Sequence, residues 1–140
     1  VNKAIRSMEV SNVVSVIAAI PQVRQQLVKL QQQMGIKKGV VMDGRDIGSV
    51  VFPNADLKLY MTANAGTRAK RRYDELLTSN SNLSLQQVLD NINLRDHLDS
   101  TRKDSPLLKS NDAIEFDNSQ LSKEQQLEQI MELVNSCLDS

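Results

Sequence analysis

Aromatic side chains are scarce in these 140 residues: Phe52, Tyr60, Tyr73 and Phe116, and no tryptophan. Any core must therefore be built from Val, Ile and Leu, and an aromatic platform for stacking nucleic-acid bases is not expected. Cysteine is almost absent. Cys137 alone forms neither an internal disulfide nor a cysteine-based metal site, which fits a reducing, cytoplasmic compartment. Its position near the C-terminus suits a helix residue better than a nucleophile. With His97 as the single histidine, no histidine-based metal centre is expected either. Net charge is also missing, because 17 basic residues cancel 17 acidic ones. A protein that coats a nucleic acid polymer usually carries a basic excess, so that role is disfavoured. No apolar run approaches the ~20 residues that span a bilayer, so no membrane partner is expected. The opening Val1 to Arg6 does not resemble a signal peptide.

What is present alternates between helix and strand patterns. Val10, Val13, Val14, Ile17, Ala18 and Ile20 form a stripe near the helical period. Pro21 breaks that helix and suits the first turn of the next, which carries Val23, Leu27, Leu30 and Met34 and stops at Gly35. Gly39 to Asp43 is a short apolar run ending in an acid and predicts a buried parallel strand. Leu57 to Thr62 predicts a second strand and Ala113 to Phe116 a third. Asn64 is placed to cap a helix running to Leu77. Ser84 with Gln87, and Ser122 with Gln125, read as capping boxes opening two further helices. The first of these should bury Leu85, Val88, Leu89 and Ile92 and reach about Ser100, and the second should bury Leu127, Ile130, Met131 and Val134. Strands separated by helices argue for an α/β fold with a parallel sheet. Three strands make a thin sheet, which suggests that others are missing.

Three clusters carry candidate chemistry. Asp43-Gly44-Arg45-Asp46 closes the first predicted strand, where open α/β sheets bind ligands. Arg45 suits a phosphate and Asp46 an exocyclic amine, although a tight turn with an internal Asp–Arg pair explains the tetrapeptide as well. Arg68, Arg71 and Arg72, with Lys70, put several cations on one helix. Such a group becomes favourable around a polyphosphate and is what phosphoryl transfer requires. The alternative is a solvated basic face paired with Asp74 and Glu75. Arg95, Asp99 and Arg102 share a helix face and read either as a ribose- and phosphate-binding set or as an ion-pair ladder. The loop Thr78 to Asn82 is polar. No G-x-x-x-x-G-K-[ST] phosphate loop occurs anywhere in the chain.

Order and spacing together resemble the bacterial cytidylate kinases (CMP kinases). The matching stretches are Ile5-Arg6 with Glu9-Val10, Ser11 to Ser15, Ala18 to Pro21 with Val23-Arg24, and Asp43 through Pro53. They continue with Arg68 to Tyr73, Arg95-Asp96, Asp99, Arg102, Pro106-Leu107, and Phe116 to Ser119. The resemblance implies transfer of the γ-phosphoryl group of ATP, with Mg2+, to CMP or dCMP. It implies that Ser15, Arg24, Asp46 and Arg102 read cytosine, that Arg45 clamps the CMP phosphate, and that Arg95 and Asp99 meet ribose and phosphate. Cytosine offers an amine donor to Asp46 and Ser15 and two acceptors to Arg24 and Arg102. Arg68, Arg71 and Arg72 become lid residues over the transferring phosphate, and Asp117-Asn118 falls at the adenine-side loop.

The sequence departs from that pattern in three places. Gly66 stands where the family usually has an acidic residue. The Thr78 to Asn82 loop lacks a glycine. The Walker-type loop and first strand have no counterpart. The family's usual strand order, 2-3-1-4-5, would leave strands 3, 4 and 5 here, with the central strand missing. The expected fold is thus a partial P-loop nucleoside monophosphate kinase fold with three parallel strands. Residues 1–140 are expected to form one incomplete kinase domain, with CMP-binding helices over about 1–38 and a core remainder over 39–140 that includes a lid at about 64–82. Such a piece is expected to be inactive alone. It is open to self-association, whereas full-length members are usually monomeric.

Overall fold

The computed structural model describes residues 8–77 and 83–139. Helices α1 (Met8–Ala18) and α2 (Pro21–Gly35) come first, and then one π-helical turn at Ile47–Val51. Strand β1 (Leu59–Thr62) leads into α3 (Ala65–Leu77) and α4 (Leu85–Thr101), and β2 (Ile114–Asp117) leads into α5 (Lys123–Leu138). The two strands pair in parallel, Leu59 opposite Ile114 and Thr62 opposite Asp117. Parallel neighbours need a long crossover, and α3 and α4 supply it by packing on one another. Helix α1 packs on α4 and α2, and α2 packs on the π-helical turn.

Local chemistry explains the helix ends. Pro21 occupies the first turn of α2, where its missing N–H costs nothing. Asn64 Oδ1 accepts from the Thr67 amide at 2.7 Å and opens α3. Ser84 and Gln87 form a reciprocal capping box on α4, and Ser122 and Gln125 form one on α5. Helix α2 stops at Gly35, whose Cα lies against the Phe52 ring. A Cβ there would stand 2.4 Å from Phe52 Cε1.

The sheet differs from expectation. Residues 39–43 form no strand, so the described sheet has two strands, not three. Val41 is fully exposed and Val40 half exposed. An apolar run signals burial, but a strand exists only where a neighbour completes its ladder, and among the described residues none does. The expected inward faces of α4 and α5 also differ. Val88 is buried, but Leu85 is exposed, and α5 buries none of its residues, leaving Leu127 and Met131 open. The buried apolar set among the described residues is small: Val51, Ala69, Leu76, Val88 and Phe116. Asp46, Lys58 and Asp99 are buried beside them. Lys58 donates to Pro53 O and to Asp112 Oδ2, both at 2.5 Å, which satisfies its charge at the start of β1. The 78–82 loop, part of the expected lid, lies outside the described residues.

Candidate functional site

The π-helical turn aims the first carboxylate. The amides of Val50 and Val51 both donate to the Asp46 carbonyl, at 2.9 and 3.2 Å. That turns the chain back and drives the Asp46 side chain inward, where the residue is 2% exposed. Arg24 on α2 meets it with a two-pronged grip, Nε to Oδ2 at 3.1 Å and Nη2 to Oδ1. Gln32 Nε2 holds the same seam by donating to Val51 O at 3.2 Å. The Asp–Arg pairing expected within the 43–46 turn is instead made to other elements, Asp46 with Arg24 and Arg45 with Asp99. Asp46 is thus an ion-pair partner, yet a carboxylate has about four acceptor sites and only part of that capacity is used.

The second carboxylate is Asp99 on α4, 3% exposed. Arg45 Nε bonds Oδ2 at 3.0 Å, and Arg102 Nη1 lies 3.6 Å from Oδ1. Arg102 is fixed further by Nε donating to Ser105 O at 2.6 Å. Ser105 makes this contact from the left-handed region, φ 52°. Sequence reasoning missed Ser105, although its place before Pro106 already disfavours a continued helix. Arg102 Nη2 and Arg95 Nε are buried without a hydrogen-bond partner. Burial lowers the pKa of both guanidiniums, and a neighbouring cation adds to the effect, Arg45 for Arg95 and Arg24 for Arg102. Asp99 opposes the shift in each case. Arg24, Arg45, Arg95 and Arg102 share the buried carboxylates Asp46 and Asp99, and Asp96 also acts on Arg95, so guanidiniums outnumber carboxylates among these described groups. A bound anion such as a phosphate would offset that excess. The side chain of Ser15, on α1, lies outside the described residues.

The arginines of α3 do not act as one face. Arg68 bonds the Ala63 carbonyl at 3.0 Å and Asp96 Oδ2 at 2.6 Å, tying the end of β1 to α4. Asp96 had no assigned role in the sequence, and its place beside Arg95 was the only signal. Arg72 pairs with Glu75 at 2.7 Å and lies near enough to Arg95 to repel its charge. Lys70 pairs with Asp74 at 3.5 Å. The solvated-face reading thus holds for Lys70 and in part for Arg72. Arg71 turns away to the loop after β2, where Nη1 and Nη2 donate to Asn118 Oδ1 and O at 2.8 and 2.7 Å.

That loop is highly ordered by its own bonds. Asp117 Oδ1 accepts from the Ser119 amide and hydroxyl at 2.8 and 2.6 Å. Those two bonds hold the Asp117 carboxyl below its ordinary range. Asn118 N donates to Thr62 O at 2.9 Å, extending the sheet by one rung.

An open cleft of about 340 Å³ runs between α2 and the 104–105 turn, lined by Arg24, Val28, Lys29, Val50 and Ser105. It adjoins the Arg24–Asp46 pair. A second cleft, about 360 Å³, lies at the amino ends of the strands beside Lys58 and Cys137. Among the described residues no group of three or more His, Cys, Asp or Glu side chains is arranged to hold a metal. No described helix is long and apolar enough to cross a membrane.

Parallel strands joined through helices define an α/β fold, and its site gathers several guanidiniums around two buried carboxylates. The family model described as cytidylate kinase matches residues 1–136. The chain is 59% identical over 136 residues to a cytidylate kinase of Flavobacterium psychrophilum, covering 97% of the chain and 60% of that relative. It is 51% identical to one of Phocaeicola vulgatus over 139 residues, 99% of the chain and 61% of the relative. It is 44% identical to one of Clostridioides difficile over 135 residues, 96% of the chain and 62% of the relative. The chain belongs to the cytidylate kinase family. It spans about 60% of the length of the curated relatives it matches.

Proposed function

We propose that this chain carries the acceptor-nucleotide half of a kinase that moves the ATP γ-phosphoryl group to CMP or dCMP. The network of Arg24, Asp46, Asp99, Arg45 and Arg102 carries this reading, with two buried guanidinium nitrogens, Arg102 Nη2 and Arg95 Nε, left without a partner. Asp46 and Ser15 accept from the cytosine amine, and Arg24 and Arg102 donate to its ring acceptors. Arg45, Arg95 and Asp99 hold the phosphate and ribose. Arg72, beside Arg95, extends positive charge toward the transferring group, where the developing charge of the transition state is stabilised, while Arg68 is held against Asp96. Asp117 and Asn118 lie on the ATP side. Mg2+ would neutralise phosphate charge in such a reaction, held chiefly by the nucleotide phosphates and water.

Because the 140 residues contain no G-x-x-x-x-G-K-[ST] loop, this stretch alone binds acceptor without transferring phosphate. Calorimetry with CMP, UMP and AMP is the test. CMP binding that weakens in Asp46→Ala supports the reading, and no binding of any of the three overturns it. ADP formation from CMP and ATP at rates typical of kinases, about 1–100 s⁻¹, would overturn the inactivity of the chain alone. A non-catalytic interaction module is the second reading. The exposed apolar residues of α1 and α2, among them Val16, Ile17 and Leu30, favour it, and the same calorimetry separates the two.

A further inference from the structure

Arg71 stands apart from its neighbours on α3. Its guanidinium makes three bonds, all to one loop: Asn118 Oδ1 at 2.8 Å, Asn118 O at 2.7 Å and Leu121 O at 3.4 Å. Two of these form a fork around a single residue, a geometry that lysine cannot reproduce. Asn118 is in turn a junction. Its amide extends the β1–β2 sheet through Thr62 O, and its Nδ2 donates to Gln126 Oε1 on α5 at 3.0 Å. Gln126 Nε2 reaches back to Leu121 O at 3.4 Å. On the other flank, Ser119 Oγ accepts from the Asn64 amide at 2.9 Å, joining the loop to the start of α3. Helix α5 buries none of its residues, so packing alone holds it weakly. Polar bonds centred on Asn118 do much of that work, and Arg71 is their contribution from α3.

The loop leaves the carboxyl end of β2, beside the carboxyl end of β1, which is where parallel α/β sheets receive ligands. It lies apart from the Asp46 and Asp99 pairs, whose partners are Arg24, Arg45 and Arg102. The geometry points to Arg71 as a positioning residue that pins the Asp117 to Leu121 loop as the edge of an adenine-nucleotide site, not as a ligand of the transferring phosphate. The identity of that nucleotide rests on the kinase reading above, and the pinning itself does not. While the fork is made, two of the three guanidinium nitrogens are committed to carbonyl oxygens. The arginines of α3 then divide by task. Arg72 lies toward the Arg45–Arg95 group, Arg68 braces α4, and Arg71 sets the loop.

The test compares the unsubstituted chain with Arg71→Ala and Arg71→Lys. Amide hydrogen exchange follows residues 117–122, and binding is measured separately for CMP and for ATP. In Arg71→Ala, exchange in the loop is expected to accelerate about tenfold or more while α4 amides keep their protection. ATP affinity is expected to fall about tenfold and CMP affinity by less than about twofold, because a displaced loop misplaces one ligand only. Arg71→Lys, keeping one bond of the fork, should fall between. Unchanged loop exchange overturns the pinning. Equal weakening of CMP and ATP overturns the division of tasks and marks Arg71 as a phosphate ligand. CMP binding without any ATP binding by the unsubstituted chain overturns the adenine assignment. Absence of CMP binding by that chain overturns the acceptor reading instead, while the exchange result still decides the pinning.

Discussion

Removing the charge of Asp46 should cost far more than an ordinary ion-pair deletion. Asp46→Asn keeps the shape of the side chain and deletes its negative charge. The carboxylate is 2% exposed, and the partner Arg24 side chain is 11% exposed, so little water can replace it. Arg102 also feels Asp46, which partly offsets the burial of its own guanidinium. Breaking a buried pair by removing one partner typically costs about 3–5 kcal/mol, because the other charge stays buried and uncompensated. That is a large part of the roughly 5–15 kcal/mol by which domains are stable. Urea unfolding followed by circular dichroism measures it. With a slope of about 1.5 kcal/mol per molar, a loss of 3 kcal/mol lowers the midpoint by about 2 M. The double variant Arg24→Met with Asp46→Leu removes both charges together. It should lose less than the sum of its single variants, with a coupling of at least about 1.5 kcal/mol. A cost for Asp46→Asn below about 1 kcal/mol, or a coupling within about 0.5 kcal/mol of zero, refutes the reasoning.

Gly35→Ala should destabilise by about 1–3 kcal/mol, because its Cβ would stand 2.4 Å from the Phe52 ring. Thermal unfolding reads the loss, and Phe52→Leu in the same chain should recover part of it. Lys38 has φ 57° and Gly39 φ 65°, both left-handed. Lys38→Gly should therefore raise stability by about 0.5 kcal/mol, and Gly39→Ala should lower it by about 1 kcal/mol, in matched denaturant titrations. Acid should destabilise the fold through Asp117 and Glu124, whose carboxyls sit below their ordinary 3.8 and 4.5. Bonds from the Ser119 hydroxyl and amide cause the first shift, and the backbone amide and Ser122 hydroxyl at the start of α5 cause the second. Each group binds fewer protons folded than unfolded. Its contribution is complete above the unfolded value and is lost as pH falls through the folded one. Melting temperatures measured from about pH 5 downward should fall, less steeply in Asp117→Asn and Glu124→Gln.

Helix ends were the most legible part of the fold. Asn64, Ser84 with Gln87, and Ser122 with Gln125 act through bonds spanning a few residues, and Pro21 through its own ring, so their sequence spacing already states the geometry. The strand expected at Gly39 to Asp43 does not form, because pairing depends on a neighbour and hydropathy does not report one. The apolar stripe of α5 failed for a related reason. Leu127 and Met131 have the helical period of a buried face, yet nothing in the described residues covers them. At the site, Arg24, Asp46, Arg45, Asp99 and Arg102 come together through ion pairs between α2, the 43–46 turn and α4. Their spacing alone left an ordinary turn and an ion-pair ladder equally open. The partners of Arg68 and Arg71 lie on other elements, at Asp96 and Asn118, and no local pattern predicts such distant pairings.

The parallel pairing of β1 with β2 also governs how the chain reaches this structure. Leu59 meets Ile114, 55 positions later, and no tight turn can bring them together. Closing such a loop costs about 1.5 kcal/mol more entropy than closing a ten-residue one. Contacts between α3 and α4 are local by comparison and shorten the effective loop before the strands meet. The folding transition state should therefore be polarised toward that helix pair, with Val88 structured early and Phe116 late. Substitutions at Val88 would then slow folding, and those at Phe116 would mainly hasten unfolding. The sheet, which positions the loop at Asn118, is in this order the last part of the molecule to form.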